Sequence, residues 1–310
     1  MAFIKGFGAY LPERVVPNSE IAALVGCDPQ WIGEASGISG RRFAQADETV
    51  SAMGASAARD CLARCSVEAS QIGLFIFASG SAERRFPSPG VEMLHRLGVT
   101  GAPVIDLPMA SAGSLFGLGL ASQLADAYGE VLVVAAEKMS SVVLQEPLDR
   151  NTVILFGDGA GAALVSSSAG LASIGAPILH SDGAFAADLQ LGLAGPMGMN
   201  GPVVVLQSSR KIPGAIREAL DAAGVNARDV DAFLMHQANR NLIVRVARAL
   251  DVPAEKFYCN IDRYGNTSSA SMFIAAAEWS QSAGFRPGQP VLFAAFGAGF
   301  HWGALVATGV

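Results

Sequence analysis

Short apolar runs alternate with amphipathic stretches along this chain, and the alternation occurs twice. In the first half, continuous apolar runs predict strands that are buried on both faces, and helices ending at glycine lie between them. The predicted strands are Ile72–Ala78, Val104–Leu107 and Val131–Ala136, and the predicted helices are Val91–Leu97 and Ala112–Tyr128. This order is typical of an α/β fold with a mostly parallel sheet and helices on its faces.

The second half repeats the plan. Its predicted strands are Val230–Met235, Phe257–Ile261 and Pro290–Ala295, and its predicted helices are Asn239–Leu250 and Ser268–Ser280. The spacing from Phe75 to Ser111 nearly equals that from Phe233 to Asn266, so Ser111 and Asn266 fall at corresponding helix starts. The repeat indicates an internal duplication into two halves, residues 1–168 and 169–310, that are fused around one core.

The composition excludes several classes of function. With 310 residues, 51% hydrophobic and only 15% charged, the chain must bury much surface, and contact between subunits is one way to do so. The net charge of −6 argues against general nucleic-acid binding, which needs a basic field. No apolar run reaches the roughly 18 residues that crossing a bilayer requires, and the N-terminus does not resemble a signal peptide. A cytoplasmic protein without membrane contact is expected.

The four cysteines do not form a metal-binding pattern. Cys61 and Cys65 lie one helical turn apart, but Cys27 and Cys259 provide no second pair at ligand spacing. We therefore predict reduced structural thiols and no metal site.

Ser111 lies where a tight turn of small residues joins a strand to an apolar helix. Free backbone N–H groups and the positive end of the helix dipole converge at such a position. A nucleophile there is well placed, because the same N–H groups can stabilise an acyl oxyanion. The alternative is an ordinary N-cap, for which serine is a favoured residue.

His236 and Asn266 occupy comparable positions in the second half. His236 directly follows a predicted strand, where ligands of doubly wound sheets gather, and an imidazole can act there as a hydrogen-bond donor or general base. Asn266 opens the corresponding helix, and its amide can bind a carbonyl oxygen. A structural loop histidine and a helix cap are the alternatives. Three polar groups at strand ends of a pseudo-symmetric sheet nevertheless indicate one reaction centre for acyl transfer.

The glycine-rich stretch FGDGAGAA formally fits a dinucleotide-binding fingerprint. That fingerprint must open a helix, whereas a strand-like run follows here. We therefore interpret these glycines as permitting close backbone packing. A second stretch, AFGAGFHWG, follows the last strand of the repeat and can contribute backbone N–H groups to an oxyanion hole.

Together these motifs resemble the ketoacyl-ACP synthase III family of thiolase-fold condensing enzymes. The resemblance extends over essentially the whole chain, through GFGAYLPERVVPNSE, PQWIGEASGI, ETVSAMG, FPSPG, EPLDRNTVILFGDGAGA, HQAN, GNTSSAS and FGAGFHWG. It implies two pseudo-equivalent halves in five α-β-α-β-α layers and usually a homodimer. It also implies no cofactor, with acyl-CoA and an acyl carrier protein (ACP) as substrates and partners.

In that family a cysteine at the helix start takes an acyl group from acyl-CoA. A histidine and an asparagine then promote decarboxylation of malonyl-ACP, and the resulting carbanion attacks the thioester. The resemblance implies the latter two roles for His236 and Asn266, and it aligns Ser111 with the cysteine. The backbone N–H groups of Ser111 and Ala298 would form the oxyanion hole.

The resemblance further implies a set of substrate-binding residues. Trp31 and Arg150 match positions that flank the CoA adenine, and Phe86 matches a residue that lines the acyl pocket across the dimer interface. Asn239 and Phe296 complete this set.

Several basic positions of the family are changed here. Ala35 and Ser39 stand where basic residues often lie near CoA, and Asn241 replaces an arginine that helps to dock ACP. Other basic side chains remain available for an acidic carrier protein, and a solvated helix face is the alternative interpretation. The candidates are Arg210, Lys211, Arg240, Arg245 and Arg248.

A serine in place of cysteine changes the chemistry. A helix N-terminus can lower a thiol pKa from about 8.5 to about 3.5–7.5, but a serine hydroxyl must lose its proton to a base during attack. His236 is the candidate base, and an oxyester is a poorer acyl donor to a carbanion than a thioester. We therefore expect slow or altered condensation.

Three interpretations of Ser111 remain open. In the first, Ser111 is acylated, and the chain is a priming ketosynthase or acyltransferase of fatty acid, specialised acyl or polyketide biosynthesis. In the second, the chain is a partner subunit or a weak decarboxylase. In the third, the serine is an introduced replacement for cysteine. A serine hydrolase with Ser111, Asp182 or Asp229, and His236 belongs to a different class, but MASAG supplies only half of its nucleophile motif.

Overall fold

The computed structural model describes residues 1–192 and 195–310. The strands are β1 (Phe3–Tyr10), β2 (Val15–Pro17), β3 (Gly40–Arg42), β4 (Leu74–Ala78), β5 (Val104–Leu107), β6 (Glu130–Lys138), β7 (Asp158–Ser166), β8 (Ala172–Ile174), β9 (Ile178–Ser181), β10 (Leu189–Gln190), β11 (Gly198–Met199), β12 (Ala232–Met235), β13 (Pro290–Gly297) and β14 (His301–Gly309). The α-helices are α1 (Asn18–Val25), α2 (Pro29–Ser36), α3 (Val50–Cys65), α4 (Pro89–Leu97), α5 (Gly113–Tyr128), α6 (Ser140–Val143), α7 (Arg150–Val153), α8 (Gly201–Ala223), α9 (Arg240–Leu250), α10 (Ile261–Tyr264) and α11 (Ser271–Ser282).

Ten of the described strands form one mixed sheet. Its order is β12-β13-β14-β8-β1-β7-β6-β4-β5, with β9 paired to β14. Strand β4 runs parallel to both β5 and β6, and β12 runs parallel to β13, whereas the remaining pairs are antiparallel. The parallel pairs are those that the repeated β–α–β pattern predicts, and their carboxyl ends carry the candidate residues.

Hydrophobic clusters divide the molecule into layers. Helices α5 and α11 lie in one cluster with strands of both halves, so they form a central layer between the two parts of the sheet. Helices α3 and α4 cover the outer face of the first part, and α8 and α9 cover the outer face of the second. This is the α-β-α-β-α arrangement that was expected, and it buries both faces of the parallel strands.

Most of the predicted elements are present, but two local predictions need correction. The predicted strand Phe257–Ile261 is wrong: only Phe257 forms a bridge, to Phe233, and a short helix begins at Ile261. The predicted helix Ser268–Ser280 begins with a 3₁₀ turn before α11 starts at Ser271. The boundary between the halves at residue 168 lies between β7 and β8 and stays a prediction.

The glycines of FGDGAGAA lie at the start of β7 and do not open a helix. A Cβ on Gly157 would lie 2.3 Å from the carbonyl oxygen of Tyr264, and one on Gly161 would lie 2.6 Å from Cβ of Phe273. The interpretation of these glycines as close packing positions is therefore confirmed. None of the helices in the described part of the chain is both long and apolar enough to span a membrane.

Candidate active site

Ser111 lies on a strained turn between β5 and α5. Its φ of 64° falls in the left-handed region, which is costly for a residue with a side chain. Ala112, with αR dihedrals, is the N-cap of α5, and its own side chain makes no capping hydrogen bond. The N-cap interpretation of Ser111 is therefore wrong, and its buried side chain, 8% exposed, is presented by a turn ahead of the helix.

The chain after β13 packs directly against this turn. A Cβ on Gly297 would lie 2.1 Å from the Ala110 carbonyl oxygen and 2.7 Å from the Ala112 nitrogen. Only glycine fits so close to backbone atoms. Gly297 therefore brings the following turn, which includes Ala298, beside Ser111, where the resemblance expects the second oxyanion donor.

The backbone N–H of Ser111 already has a partner. It donates to Oγ of Ser268 at 3.0 Å, and the two Oγ atoms are 3.5 Å apart. A substrate carbonyl must therefore replace this hydroxyl to use the N–H as an oxyanion donor. Ser268 has a φ of 47°, so both partners lie on strained backbone. Sequence reasoning missed Ser268, whose only signal was its place in GNTSSAS.

His236 follows β12 and is buried against the start of α11. Its Nδ1 lies 2.6 Å from Oγ of Ser271, which also accepts the backbone N–H of Gln237. Burial lowers the pKa of His236 to about 4, although a contact with the backbone of Ser268 partly opposes this shift. The imidazole is therefore neutral at pH 7, with one N–H and one lone pair. It is a weak base, better suited to hydrogen bonding than to taking a proton.

Asn266 is held by its own backbone and its side-chain oxygen. Its N–H donates to Leu155, its carbonyl accepts from Gly157, and its Oδ1 accepts the N–H of Ser268 at 2.9 Å. Its Nδ2 amide has no hydrogen-bond acceptor within the described residues. Asn266 lines the same cavity as Ser111 and His236, so this amide is available to a carbonyl oxygen.

This cavity has a volume of about 620 Å³, and the three candidate residues are part of its lining. That size is within the range of sites that enclose small ligands. Its walls are mostly apolar and come from α8, α9, the ends of β12 and β13 and the segment before β7. Residues that represent these walls are Val204, Ile212, Leu242, Met235, Phe296 and Phe156.

A fully buried carboxylate fixes the loops behind the site. Glu137, at the end of β6, accepts bonds from Oγ of Ser81 at 2.6 Å, the N–H of Gly80 at 3.0 Å and Oγ of Ser269 at 2.5 Å. Ser269 belongs to the second half and follows Ser268, so Glu137 ties the turn that contacts Ser111 to the first half. Sequence reasoning missed Glu137, because its partners are distant in sequence.

Four of the five predicted substrate-binding residues form two groups. Phe296 and Asn239 line the cavity, and Asn239 uses its side chain to accept from Asn241 and to donate to Ala35. Trp31 and Arg150 contact each other, with the guanidinium carbon 5.0 Å from the ring centroid.

Phe86 does not line the described cavity of a single chain, and its side chain is 83% exposed. The segment after it is fastened to the sheet, because Asp106 of β5 accepts from Oγ of Ser88 and the N–H of Gly90. Strand β5 is an edge strand on which Ile105 is exposed.

The predicted docking residues lie on two adjacent helices. Arg240, Arg245 and Arg248 are exposed on α9, and Arg210 is exposed on α8. Lys211 is different: its ammonium pairs with Asp182 at 3.0 Å and lies over the Trp302 ring. The five residues therefore stay a prediction, with Lys211 already held by an internal ion pair.

Comparisons with known proteins extend along the whole chain. Residues 105–187 match the family described as 3-oxoacyl-[acyl-carrier-protein] synthase III, and residues 220–308 match its C-terminal part. The β-ketoacyl-[acyl-carrier-protein] synthase III of Oleidesulfovibrio alaskensis is 36% identical, over 98% of each chain.

Solved structures give the same result. The 3-oxoacyl-[acyl-carrier-protein] synthase III of Aquifex aeolicus has a TM-score of 0.95 and 33% identity, covering 99% of this chain and 100% of that one. The priming β-ketosynthase of the R1128 polyketide pathway has a TM-score of 0.91 and 32% identity, covering 100% of this chain and 96% of that one.

The chain belongs to the 3-oxoacyl-[acyl-carrier-protein] synthase III family. The predicted family and the predicted thiolase-like fold are thereby confirmed. The chain therefore belongs to an enzyme family with transferase or condensing activity, and one of its structural relatives is named for a polyketide biosynthetic pathway.

Proposed function

We propose that this 3-oxoacyl-ACP synthase III homologue is an acyltransferase that uses Ser111 as its nucleophile. Oγ of Ser111 bonds to the carbonyl carbon of an acyl thioester, the C–S bond breaks, and the thiol leaves with the serine proton. The acyl group then passes from the oxyester to an acceptor of the malonyl-ACP type or to another nucleophile. The thioester is a substrate carried by CoA or ACP, and the reaction needs no cofactor.

The strained turn at Ser111 is the observation that carries this proposal. A φ of 64° at a buried non-glycine residue is retained at a cost, and such strain is concentrated at functional sites. The turn directs Oγ into a cavity that also contains His236 and Asn266.

His236 and Asn266 are proposed to act on the acceptor. Burial keeps the imidazole neutral, so His236 and the Nδ2 amide of Asn266 can both donate hydrogen bonds to a malonyl thioester carbonyl. These bonds stabilise the enolate that forms when CO₂ leaves. The oxyanion of the acyl transfer step would be bound by the N–H groups of Ser111 and Ala298.

A homodimer is part of the proposal. Strand β5 is an open edge with exposed Ile105, and Phe86 and Val91 are exposed in the segment that precedes it. Unpaired edges with apolar side chains are suited to pairing with a second strand. A partner subunit on this edge would bury Phe86, which the resemblance associates with the acyl pocket.

Intact-protein mass spectrometry tests the nucleophile. The protein is incubated with acetyl-, propionyl-, butyryl- and hexanoyl-CoA and with the matching acyl-ACPs. The expected result is a single covalent acyl adduct on the wild type and none on Ser111→Ala. Ser114, in the first turn of the helix α5 that follows Ser111, is a matched control, because Ser114→Ala should keep the adduct. The absence of an adduct with every donor would overturn the proposal.

A second candidate function is decarboxylation, alone or as the partner subunit of an active paralogue. Its support is the combination of a complete His236–Asn266 pair with a serine that has no strong base, since the pKa of His236 is about 4. Release of CO₂ from malonyl-ACP without an acyl donor tests it. This candidate predicts that Ser111→Ala retains the release and that His236→Ala loses it.

A further inference from the structure

A fully buried arginine lies behind the loop that carries Asn266. Arg41 of β3 has no exposed surface. Burying a charge costs free energy unless polar partners offset the loss of water. Burial lowers the pKa of Arg41 to about 10, so the guanidinium is still protonated at pH 7. The acyl transfer proposed above does not use this cation, and its contacts show which part of the site depends on it.

The guanidinium of Arg41 bonds to neutral oxygens. Nη1 donates to Oδ1 of Asn18 at 2.8 Å and to the carbonyl oxygen of Val16 at 3.4 Å. Nη2 donates to the carbonyl oxygen of Ile154 at 2.8 Å. Within residues 1–192 and 195–310, no carboxylate pairs with this guanidinium, and its Nε has no hydrogen-bond partner. Three oxygens on separate chain segments therefore fix the planar group in one orientation.

The carbonyl of Ile154 lies next to the segment that holds the backbone of Asn266. The carbonyl oxygen of Leu155 accepts the N–H of Asn266 at 2.9 Å, and the N–H of Gly157 donates to the carbonyl oxygen of Asn266 at 3.1 Å. Since Ile154 directly precedes Leu155, Arg41 fixes the peptide unit beside the one to which Asn266 bonds.

The stem of Arg41 packs against the same loop. A Cβ on Gly157 would lie 3.0 Å from Cβ of Arg41, and one on Gly265 would lie 3.1 Å from it. Gly265 directly precedes Asn266 in the chain. The arginine therefore contacts both of the backbone segments that meet at Asn266, by packing as well as by a hydrogen bond.

We propose that Arg41 is a positioning residue for Asn266. It holds residues 154–157 in place, and this segment holds the backbone of Asn266 at the cavity that the asparagine lines. The inference rests on the proposed function, in which the Asn266 amide donates to the carbonyl oxygen of a malonyl-type acceptor.

The turn that contacts Ser111 has an anchor of its own. Ser268 accepts the N–H of Ser111, and the next residue, Ser269, donates to Glu137 at 2.5 Å. This bond does not involve residues 154–157. Changes at Arg41 should therefore impair the step at the acceptor much more than acylation of Ser111.

Two rates measured on Arg41→Met and Arg41→Lys test this inference. Methionine retains much of the volume without any donor, and lysine retains the charge with a single donor group. We expect CO₂ release from malonyl-ACP to fall roughly tenfold in Arg41→Met, through kcat rather than KM, because Asn266 is displaced from its productive position. The decrease should be smaller in Arg41→Lys. Acylation of Ser111 by the acyl-CoAs used above should stay close to the wild-type rate in both.

Arg42→Met is the matched control. Arg42 follows Arg41 on β3, but its guanidinium donates to the carbonyl oxygens of Pro12 and Glu13 at 3.2 and 2.9 Å. Both rates should therefore remain those of the wild type. Wild-type CO₂ release in Arg41→Met, or an equal decrease in Arg42→Met, would overturn the inference.

Asn18→Ala covers the case in which Arg41→Met does not fold. It removes one oxygen from the guanidinium and leaves the bond to Ile154. CO₂ release should decrease by less than in Arg41→Lys, again without a change in acylation. Equal losses of both rates in Arg41→Lys and Asn18→Ala would reduce Arg41 to a general structural role and contradict the inference.

A side-chain NMR signal separates failure of the inference from failure of the proposed function. The Nδ2 resonances of Asn266, identified by their absence in Asn266→Ala, should shift or broaden in Arg41→Lys and stay unchanged in Arg42→Met. This measurement needs no turnover, so it decides the inference even if the wild type forms no adduct and releases no CO₂. Unchanged Asn266 signals in Arg41→Lys, in a protein that still forms the adduct, would contradict the inference alone.

Discussion

The two halves of the molecule present equivalent strand ends that carry different residues. Leu74 of β4 pairs with Val131 of β6, and Ala232 of β12 pairs with Val291 of β13 in the same way. Following each pair of strands to its end aligns Ala78 with His236 and Glu137 with Gly297. The first half therefore has alanine where the second half has the imidazole of His236. It has the buried carboxylate of Glu137 where the second half has glycine.

The two sets of strand ends therefore have different roles, one in holding loops and the other in lining the candidate active site. In the first half Glu137 collects hydroxyl and N–H donors and holds the loops in place. In the second half the absent side chain of Gly297 lets the chain reach the turn at Ser111, and His236 faces the cavity. The equivalent strand ends of the two halves therefore differ in role. The end with Glu137 holds loops in place, whereas the ends with His236 and Gly297 lie at the cavity and at the turn that carries Ser111.

The largest expected effect concerns Gly297. Gly297→Ala places a Cβ 2.1 Å from a backbone oxygen, and no flexible side chain can move to relieve this contact. We expect a loss of about 3 kcal/mol in the free energy of unfolding, the upper range for overpacking, together with loss of acylation at Ser111. Urea denaturation and intact-protein mass spectrometry measure the two effects.

Gly214→Ala is the control for Gly297→Ala. A Cβ on Gly214 meets no atom within 4 Å, and Gly214 lies inside α8. Replacing it should therefore stabilise the protein by up to about 1 kcal/mol. Equal stability of the Gly297 variant and the wild type would contradict the close approach of the two chain segments.

The next effect is the pH dependence that His236 introduces. Its folded pKa of about 4 lies below the ordinary 6.5, so its contribution to stability is fully present above pH 6.5 and is lost as the pH falls toward 4. At pH 5 this loss is about 2 kcal/mol. Between about pH 7.5 and pH 5, the free energy of unfolding should therefore fall by about 2 kcal/mol more for the wild type than for His236→Gln. Equal decreases would show that His236 is not held neutral.

The smallest effect tests the role of Glu137 with two matched serines. Oγ of Ser81 and Oγ of Ser269 donate to the same carboxylate at 2.6 and 2.5 Å, but Ser269 alone crosses to the second half. Each serine-to-alanine change should cost about 1.5 kcal/mol, as expected for a hydrogen bond to a charged group. We expect Ser269→Ala also to slow acylation several-fold, whereas Ser81→Ala leaves its rate unchanged. Equal rates for both variants would reduce Glu137 to a general stabilising role.

The sequence was sufficient to predict the fold and to single out Ser111, His236 and Asn266, which line one cavity in the structure. Strand periodicity located the ends of β4, β5 and β12 to within two residues, and polar residues directly after such ends point to a site. Duplication then related Ser111 to Asn266. The motifs extended this to a family, which the comparisons confirm.

The supporting contacts could not be predicted in the same way. Ser268 and Ser269 contact residues 157 and 132 positions away, and no local pattern encodes such a distance. The error at Phe257–Ile261 has a related cause: the side chain of Gln237 bonds to the backbone of Tyr258 and Asn260, so a distant amide replaces a strand partner.

The central claim is that the turn at Ser111 is a working nucleophile site whose rate is limited by the hydroxyl. Single-turnover acylation of Ser111→Cys tests it most directly, because a helix N-terminus lowers a thiol pKa and supplies a thiolate without a base. We predict acylation of residue 111 at least about tenfold faster than in the wild type, as each unit of thiol pKa changes the thiolate fraction tenfold. Ser114→Cys, at a buried position in the helix α5 that follows this turn, should give no cysteine adduct. A Ser111→Cys protein that is not acylated, or acylated no faster than the wild type, would contradict the account.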